Sequence, residues 1–352
     1  MPVTQTRLLN DRTSRPVELS VLGFGGAPIG NLYREVSDDD AGAALSAAFD
    51  AGVRYFDTAP LYGLGLSELR FSRAIREFGR DNLVLSTKVG RRLLDCGPDE
   101  VTPEAYVKVS RKRIVFDYSY DGVMRSYDDS KARLDIACAD ILFVHDVCAF
   151  SQGSQDASDR RVRELLDKGG YRALGELRDA GEISAIGAGV NEWQVCERLL
   201  GLADFDCFLL AGRYTLLEQD ALETFLPLCQ RRDVGIILGG PFNSGILATG
   251  AVPSARYNYA AAPPEILGRV SRMNEVCKAH GTRLIAAALQ FVLGHPCVKS
   301  VIPGASSAAE VRSIVSCLAE PIPDALWLDM RQRGLIRSDA PVPASGQDSV
   351  QT

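Results

Sequence analysis

Short, unbroken apolar runs alternate with amphipathic stretches about eight times along the chain. The runs at 21–28, 53–57, 82–88, 141–145, 183–190, 207–211, 234–238 and 298–302 predict strands, and their continuous apolar character suits strands buried on both faces. The stretches between them predict helices. Ser37-Asp38-Asp39-Asp40 caps one that runs through Ala51 and is closed by Gly52. Others cover 67–78, 120–135, a long segment ending near Ala180-Gly181, 191–200, 219–232, 264–280, 282–293, and a last one ending at Leu318. Two short alternating runs around a polar centre at 10–16 predict a hairpin ahead of the main fold. The alternation favours an α/β fold of the (β/α)8 TIM-barrel type over a doubly wound sheet, with the active site at the C-terminal ends of the strands. Gly23, Gly25 and Gly26 lack the spacing of a dinucleotide fingerprint.

The rhythm breaks at 89–122, 146–158 and 239–259, where long loops are expected at the C-terminal face. The first is rich in aromatic residues and reads as an ordered loop over the pocket. Its Arg111-Lys112-Arg113 reads as a solvated edge. One barrel unit is expected over 1–337, with a flexible Ser/Pro/Ala-rich tail at 338–352.

The chain has 352 residues, 46% of them hydrophobic, which is ample for a core. A net charge of -6 disfavours nucleic acid as a partner. No apolar run approaches the length of a membrane span, and the polar N-terminus has no signal-peptide pattern, so a cytoplasmic location is expected. Nine scattered cysteines without a Cys-x-x-Cys pair suit reduced, buried thiols rather than disulfides or a metal site.

Three successive strands end in ionisable residues: Asp57, Lys88 and His145. Tyr62 follows the first by five positions, after the turn Thr58-Ala59-Pro60-Leu61. An acid at the mouth of a strand packs poorly unless it meets a charged partner, and Lys88 at the next strand end supplies one. A lone Asp–Lys pair or a lone buried histidine is more often structural than catalytic; the coincidence at three consecutive strand ends carries the catalytic reading. His280 and His295, late in the chain, read as surface residues.

This constellation resembles the catalytic tetrad of the aldo-keto reductases, and the resemblance spans most of the chain. It implies that Tyr62 is the acid/base, Lys88 lowers its pKa, Asp57 orients Lys88, and His145 hydrogen-bonds the substrate oxygen. It also implies a nicotinamide cofactor across the barrel mouth. Asn191, after Gly187-Ala188-Gly189-Val190, stands one place later than the family's carboxamide-binding asparagine. Ala211 replaces the family's glutamine, and Gly239 replaces its stacking aromatic, so another side chain must cover the nicotinamide. Pro241, Phe242, Asn243 and Gly245 resemble the loop that wraps the pyrophosphate, with Asp57 also at the cofactor's edge. Gly304, Ser306 and Glu310 match the segment after the last strand. With Ser306 where NADP-preferring members carry a cation, and Glu310 one turn on, the resemblance favours NAD, with NADP as the alternative.

The segment Phe116-Asp117-Tyr118-Ser119-Tyr120 with Arg213-Tyr214-Thr215 is similar to one subgroup, which contains D-threo-aldose (L-fucose) 1-dehydrogenases and pyridoxal 4-dehydrogenases. Both oxidise a cyclic hemiacetal to a lactone. The aldose is the first reading and pyridoxal the second, with the tyrosines as flanking rings for either. General aldehyde reduction and a regulatory, cofactor-binding barrel are the competing functions. A monomer or small homo-oligomer is expected.

Overall fold

A computed structural model describes residues 1–10 and 15–343. Eight parallel strands follow one another in the sheet in chain order: β1 (Phe24–Gly25), β2 (Tyr55–Asp57), β3 (Val84–Val89), β4 (Ile141–His145), β5 (Ala185–Val190), β6 (Cys207–Ala211), β7 (Gly235–Gly239) and β8 (Val298–Ile302). Parallel bridges from Leu22 to Val301 and from Gly25 to Gly304 bring β8 back to β1 and close the barrel. The (β/α)8 expectation holds, and β4 and β6 span the residues expected. A Cβ on Gly304 would stand 2.6 Å from Pro28 Cγ, so this glycine permits the seam between the first and last strands.

The N-terminal hairpin, Thr6–Asn10 with Val17–Ser20, carries Leu9, Val17 and Leu19 into one apolar cluster with Tyr55, Phe143, Leu209, Ile237 and Ile302. It fills the floor of the barrel. The turn joining its strands lies partly outside the described residues. Helices pack around the outside; the first begins with Ser37 Oγ accepting from Asp40 N, as its sequence cap implies.

Several expectations change. Residues 89–122 are not an open loop: Arg91–Asp95 and Lys112–Phe116 pair as an antiparallel hairpin. The long helix before β5 is two, Gln155–Asp167 and Gly170–Asp179. Gly169 between them has φ 77°, and a Cβ on Gly170 would lie 2.0 Å from Tyr118 O. A further helix, Asp324–Gln332, buries Leu326, Trp327 and Met330. Residues 338–343 were assigned to the tail, yet Ala340 is buried and its carbonyl accepts from Arg331. Residues 344–352 lie outside the described ones. His295 is buried, not on the surface, and its ring meets Tyr214 edge-on. Arg111 and Arg113 are exposed, in keeping with a solvated edge.

Strand alternation sets the site. Tyr55 lies in the interior cluster, so Asp57, two residues on, shares its face. Phe143 likewise places His145 inward. On β3, Lys88 faces in, whereas Thr87 points out to hydrogen-bond Glu68. Space for these long side chains comes from β5. A Cβ on Gly187 would stand 2.5 Å from the Phe143 ring, and one on Gly189 3.2 Å from Lys88 Cε. Gly187→Ala should therefore overpack the interior and lower stability by about 1–3 kcal/mol, read by chemical denaturation. An unchanged midpoint would show that the Phe143 ring gives way freely.

Candidate active site

Asp57 and Lys88 form a contact ion pair almost sealed from solvent, each 1% exposed. Lys88 Nζ donates to Asp57 Oδ1 at 2.8 Å, to Asp57 Oδ2 at 2.6 Å and to Thr58 O at 2.9 Å. Ser86 Oγ donates to Asp57 Oδ1 at 2.7 Å, and Tyr55 OH lies 3.0 Å from Ser86 Oγ. All three ammonium protons thus have acceptors. Burial pushes Asp57 up and Lys88 down, and each partner opposes the shift of the other.

Tyr62 is half-buried, with the Lys88 ammonium 4.8 Å from its ring centroid. The lysine meets the ring face and gives the hydroxyl no hydrogen bond. The expected lowering of the Tyr62 pKa is not found. The phenol is instead raised well above its usual value; burial is the leading cause, and the Asp57 charge beside Lys88 adds to it. His145 meets Tyr62 edge-on with ring centroids 6.2 Å apart. Burial lowers its imidazole to about 3, so it is neutral near physiological pH. The three strand-end residues and Tyr62 therefore gather around one spot at the mouth.

Beside them, at or next to the C-terminal ends of β5, β6 and β7, stand Gly189, Ala211 and Gly239, three positions with little or no side chain. Gly212 and Gly240, with φ 65° and 56°, follow directly at the same side of the mouth. A flat nicotinamide ring fits such a surface. Asn191, whose cofactor role was expected from sequence, donates to Asp146 Oδ1 at 3.1 Å and accepts from Tyr259 OH at 3.1 Å. Asn243 is buried; it accepts from Thr215 and donates to Gly212 O, so its side chain ties two mouth loops together. Pro241 is buried, and Phe242 packs on the outer core. Gly245 has φ 98° and open space where a Cβ would lie. Ser306 N and Oγ both donate to Glu310 Oε2, at 2.7 and 2.9 Å.

Sequence reasoning missed Arg34. From the loop after β1 it donates to Ser306 Oγ at 2.6 Å and pairs with Glu310 at 3.2 Å. A cation is thus present beside Ser306, supplied from far away in sequence. The aromatic rim also differs from expectation. Tyr118 is fully buried and donates to His145 O at 2.6 Å, while Tyr120 bonds Glu176 on an outer helix. The rings near the mouth are Tyr106, 6.2 Å from Tyr62, and Tyr259, 6.1 Å from Phe150. Tyr259 stands at the tip of a two-residue hairpin, Arg256–Tyr257 with Ala260–Ala261, where Asn258 and Tyr259 have φ 49° and 66°. Such a left-handed pair closes a tight two-residue turn. Among the described residues no cluster of His, Cys, Asp or Glu could hold a metal, and no helix is long and apolar enough to cross a membrane.

The aldo/keto reductase family pattern matches residues 21–332, and the chain belongs to that family. It is therefore an NAD(P)-dependent oxidoreductase of the kind that acts on CH–OH groups. It is 43% identical over 327 residues to the pyridoxal 4-dehydrogenase of Microbacterium luteolum, covering 90% of this chain and 95% of the relative. To the D-threo-aldose 1-dehydrogenase of a Pseudomonas species it is 37% identical over 329 residues, with the same coverages. An aldo-keto reductase of Bacillus halodurans, solved in its holo form, superposes with a TM-score of 0.73 at 22% identity, covering 98% of this chain and 99% of that one. Proteins of this fold bind NAD(P)(H).

The ion pair makes a testable demand. Lys88→Met should leave Asp57 buried without its counter-charge and lower stability by about 3–5 kcal/mol. Adding Asp57→Asn should recover at least about 2 kcal/mol of that loss while activity stays absent. Losses that simply add in the double variant would show that the two charges are not coupled.

Proposed function

We propose that this protein oxidises a cyclic hemiacetal to a lactone with NAD, and that pyridoxal is its substrate. The observation that carries the reaction class is the buried Asp57–Lys88 pair beneath Tyr62, with neutral His145 across from it. The sequence alone ranked an aldose first; the higher identity to a pyridoxal 4-dehydrogenase reverses that order. The rings of Tyr106, Phe150 and Tyr259 suit a flat pyridine better than a polyol. An aldose remains the second reading, supported by the 37% identical relative.

A bound NAD would supply the hydride acceptor for the hemiacetal carbon. The residues of this chain do the rest. Tyr62 takes the hydroxyl proton, and the carbon–oxygen bond becomes the lactone carbonyl. His145 orients that oxygen. To act as the base Tyr62 must first be a phenolate, and Lys88, held by Asp57 and Thr58 O with its ammonium 4.8 Å from the ring centroid, favours that form, which becomes the neutral phenol as it takes the proton. NAD binding is assigned to the floor at Gly189, Ala211 and Gly239, to Asn191, to the loop at Pro241, Phe242, Asn243 and Gly245, and to Gly304, Ser306 and Glu310. Glu310 would accept from the ribose hydroxyls. Arg34, paired with Glu310, is the group that would admit the 2′-phosphate of NADP.

Reduction of NAD and of NADP should be followed in parallel with pyridoxal, L-fucose and D-arabinose, with Tyr62→Phe as control. NADH formation with pyridoxal, lowered at least about 100-fold in Tyr62→Phe, is the expected result. Turnover of the sugars alone would move the substrate to an aldose. Cofactor binding without oxidation of any of them would contradict the reading.

A further inference from the structure

The residue after His145 is a buried acid in a left-handed backbone conformation. Asp146 has φ 55° and is 5% exposed, and its N–H donates to Gly189 O at 2.8 Å. Non-glycine residues held this way cluster at functional sites. Its carboxylate is gripped from two elements. Arg91, 4% exposed at its side chain, reaches Asp146 Oδ2 at 2.8 Å, and Asn191 Nδ2 donates to Oδ1 at 3.1 Å. Arg91 is itself anchored by Glu104 at 2.7 Å and lies over the Phe116 ring. Burial opposes the charge on Asp146, and Arg91 leads the groups that outweigh it, so the carboxyl stays below its usual range.

This carboxylate stands beside the imidazole: Asp146 Oδ2 is 3.3 Å from His145 Nε2. The other ring nitrogen, Nδ1, is buried without a hydrogen-bond partner. Two neutral tautomers are available. With the proton on Nδ1, an N–H would be buried unpaired and the Nε2 lone pair would face an anion. With the proton on Nε2, the positive end of the N–H lies beside the carboxylate, 3.3 Å between heavy atoms, and only an acceptor is left unmatched at Nδ1. The second arrangement is better on both counts. Besides Asp146, the charged groups facing the imidazole are Arg91 from the hairpin after β3 and Lys88 from β3. Both repel a second ring proton. Tyr118, through its bond to His145 O, fixes the backbone from which the ring projects.

We propose that Asp146, held by Arg91, is a positioning residue that keeps the His145 proton on Nε2 and the ring turned so that this N–H meets the substrate oxygen. Nδ1 is sequestered, so Nε2 is the nitrogen a substrate reaches. Its proton is shared between the carboxylate and the reacting oxygen. The contribution to turnover rests on the proposed oxidation, but the protonation pattern is a property of the free protein.

With only three histidines in the chain, ring 15N and 1H spectra of histidine-labelled full-length protein can be assigned with His145→Gln as reference. The free wild type should show His145 as the Nε2–H tautomer with a downfield ring proton. Asp146→Ala should move that proton upfield and speed its exchange with water. For the substrate that the wild type turns over, kcat should fall about 10- to 100-fold while KM changes less than about threefold. Asp146→Asn, which keeps an oxygen for Arg91 and for the ring, should recover most of both effects. An Nδ1–H tautomer in the wild type overturns the proposal without any variant having to fold. So does a ring-proton shift and exchange rate untouched by Asp146→Ala, even if kcat falls. A wild type that oxidises none of the substrates offered would refute the functional reading and leave the spectra to decide the role of Asp146.

Discussion

Two opposite charges enclosed at the mouth of the barrel govern its chemistry. Desolvating Asp57 and Lys88 is costly, and the pair persists because every proton of the ammonium has an acceptor and the carboxylate takes a further bond from Ser86. That demand reaches outward. Ser86 must face inward and meet Tyr55, the turn after β2 must offer Thr58 O, and β5 must be free of side chains where Lys88 crosses the interior. The interior of the barrel is arranged so that this one pair is satisfied.

Burial and the same pair together set the state of Tyr62. Lysine is usually invoked to make a tyrosine more acidic, but here desolvation raises the phenol first and the Asp57 charge beside Lys88 adds to it. The free site holds a protonated tyrosine beside a neutral histidine. A nicotinamide cation held beside the ring would favour ionisation of Tyr62.

Much of this was legible in the sequence. The alternation of apolar runs carried the barrel, because strands buried on both faces cannot hide their composition. Asp57, Lys88 and His145 stood out because ionisable residues at strand ends are hard to explain by packing. What stayed hidden depends on distance in the chain. Arg34 meets Glu310 across 276 positions, and Arg91 meets Asp146 across a hairpin that read as a loop. Tyr118 looked like a substrate-flanking ring, yet Gly90, with φ 98°, opens the space that lets it pack inside and bond His145 O. Asp146 was visible beside His145 but carried no periodicity to mark it. The helix at Asp324–Gln332 was missed although Leu326, Trp327 and Met330 have helical spacing. Asn243 read only as a cofactor residue, and the bonds by which its side chain joins two mouth loops have no local mark in the sequence.

The most direct measurement is an ultraviolet difference titration of tyrosinate in the free protein and with saturating NAD, comparing the wild type with Tyr62→Phe. Among the eleven tyrosines, Tyr62 is isolated by that comparison. The expected result is no difference between the two free proteins below about pH 10, and one additional tyrosinate in the wild type at lower pH once NAD is bound. One tyrosine ionising below about pH 10 in the free wild type and missing from Tyr62→Phe would contradict the claim that burial and the Asp57 charge outweigh Lys88 at the phenol.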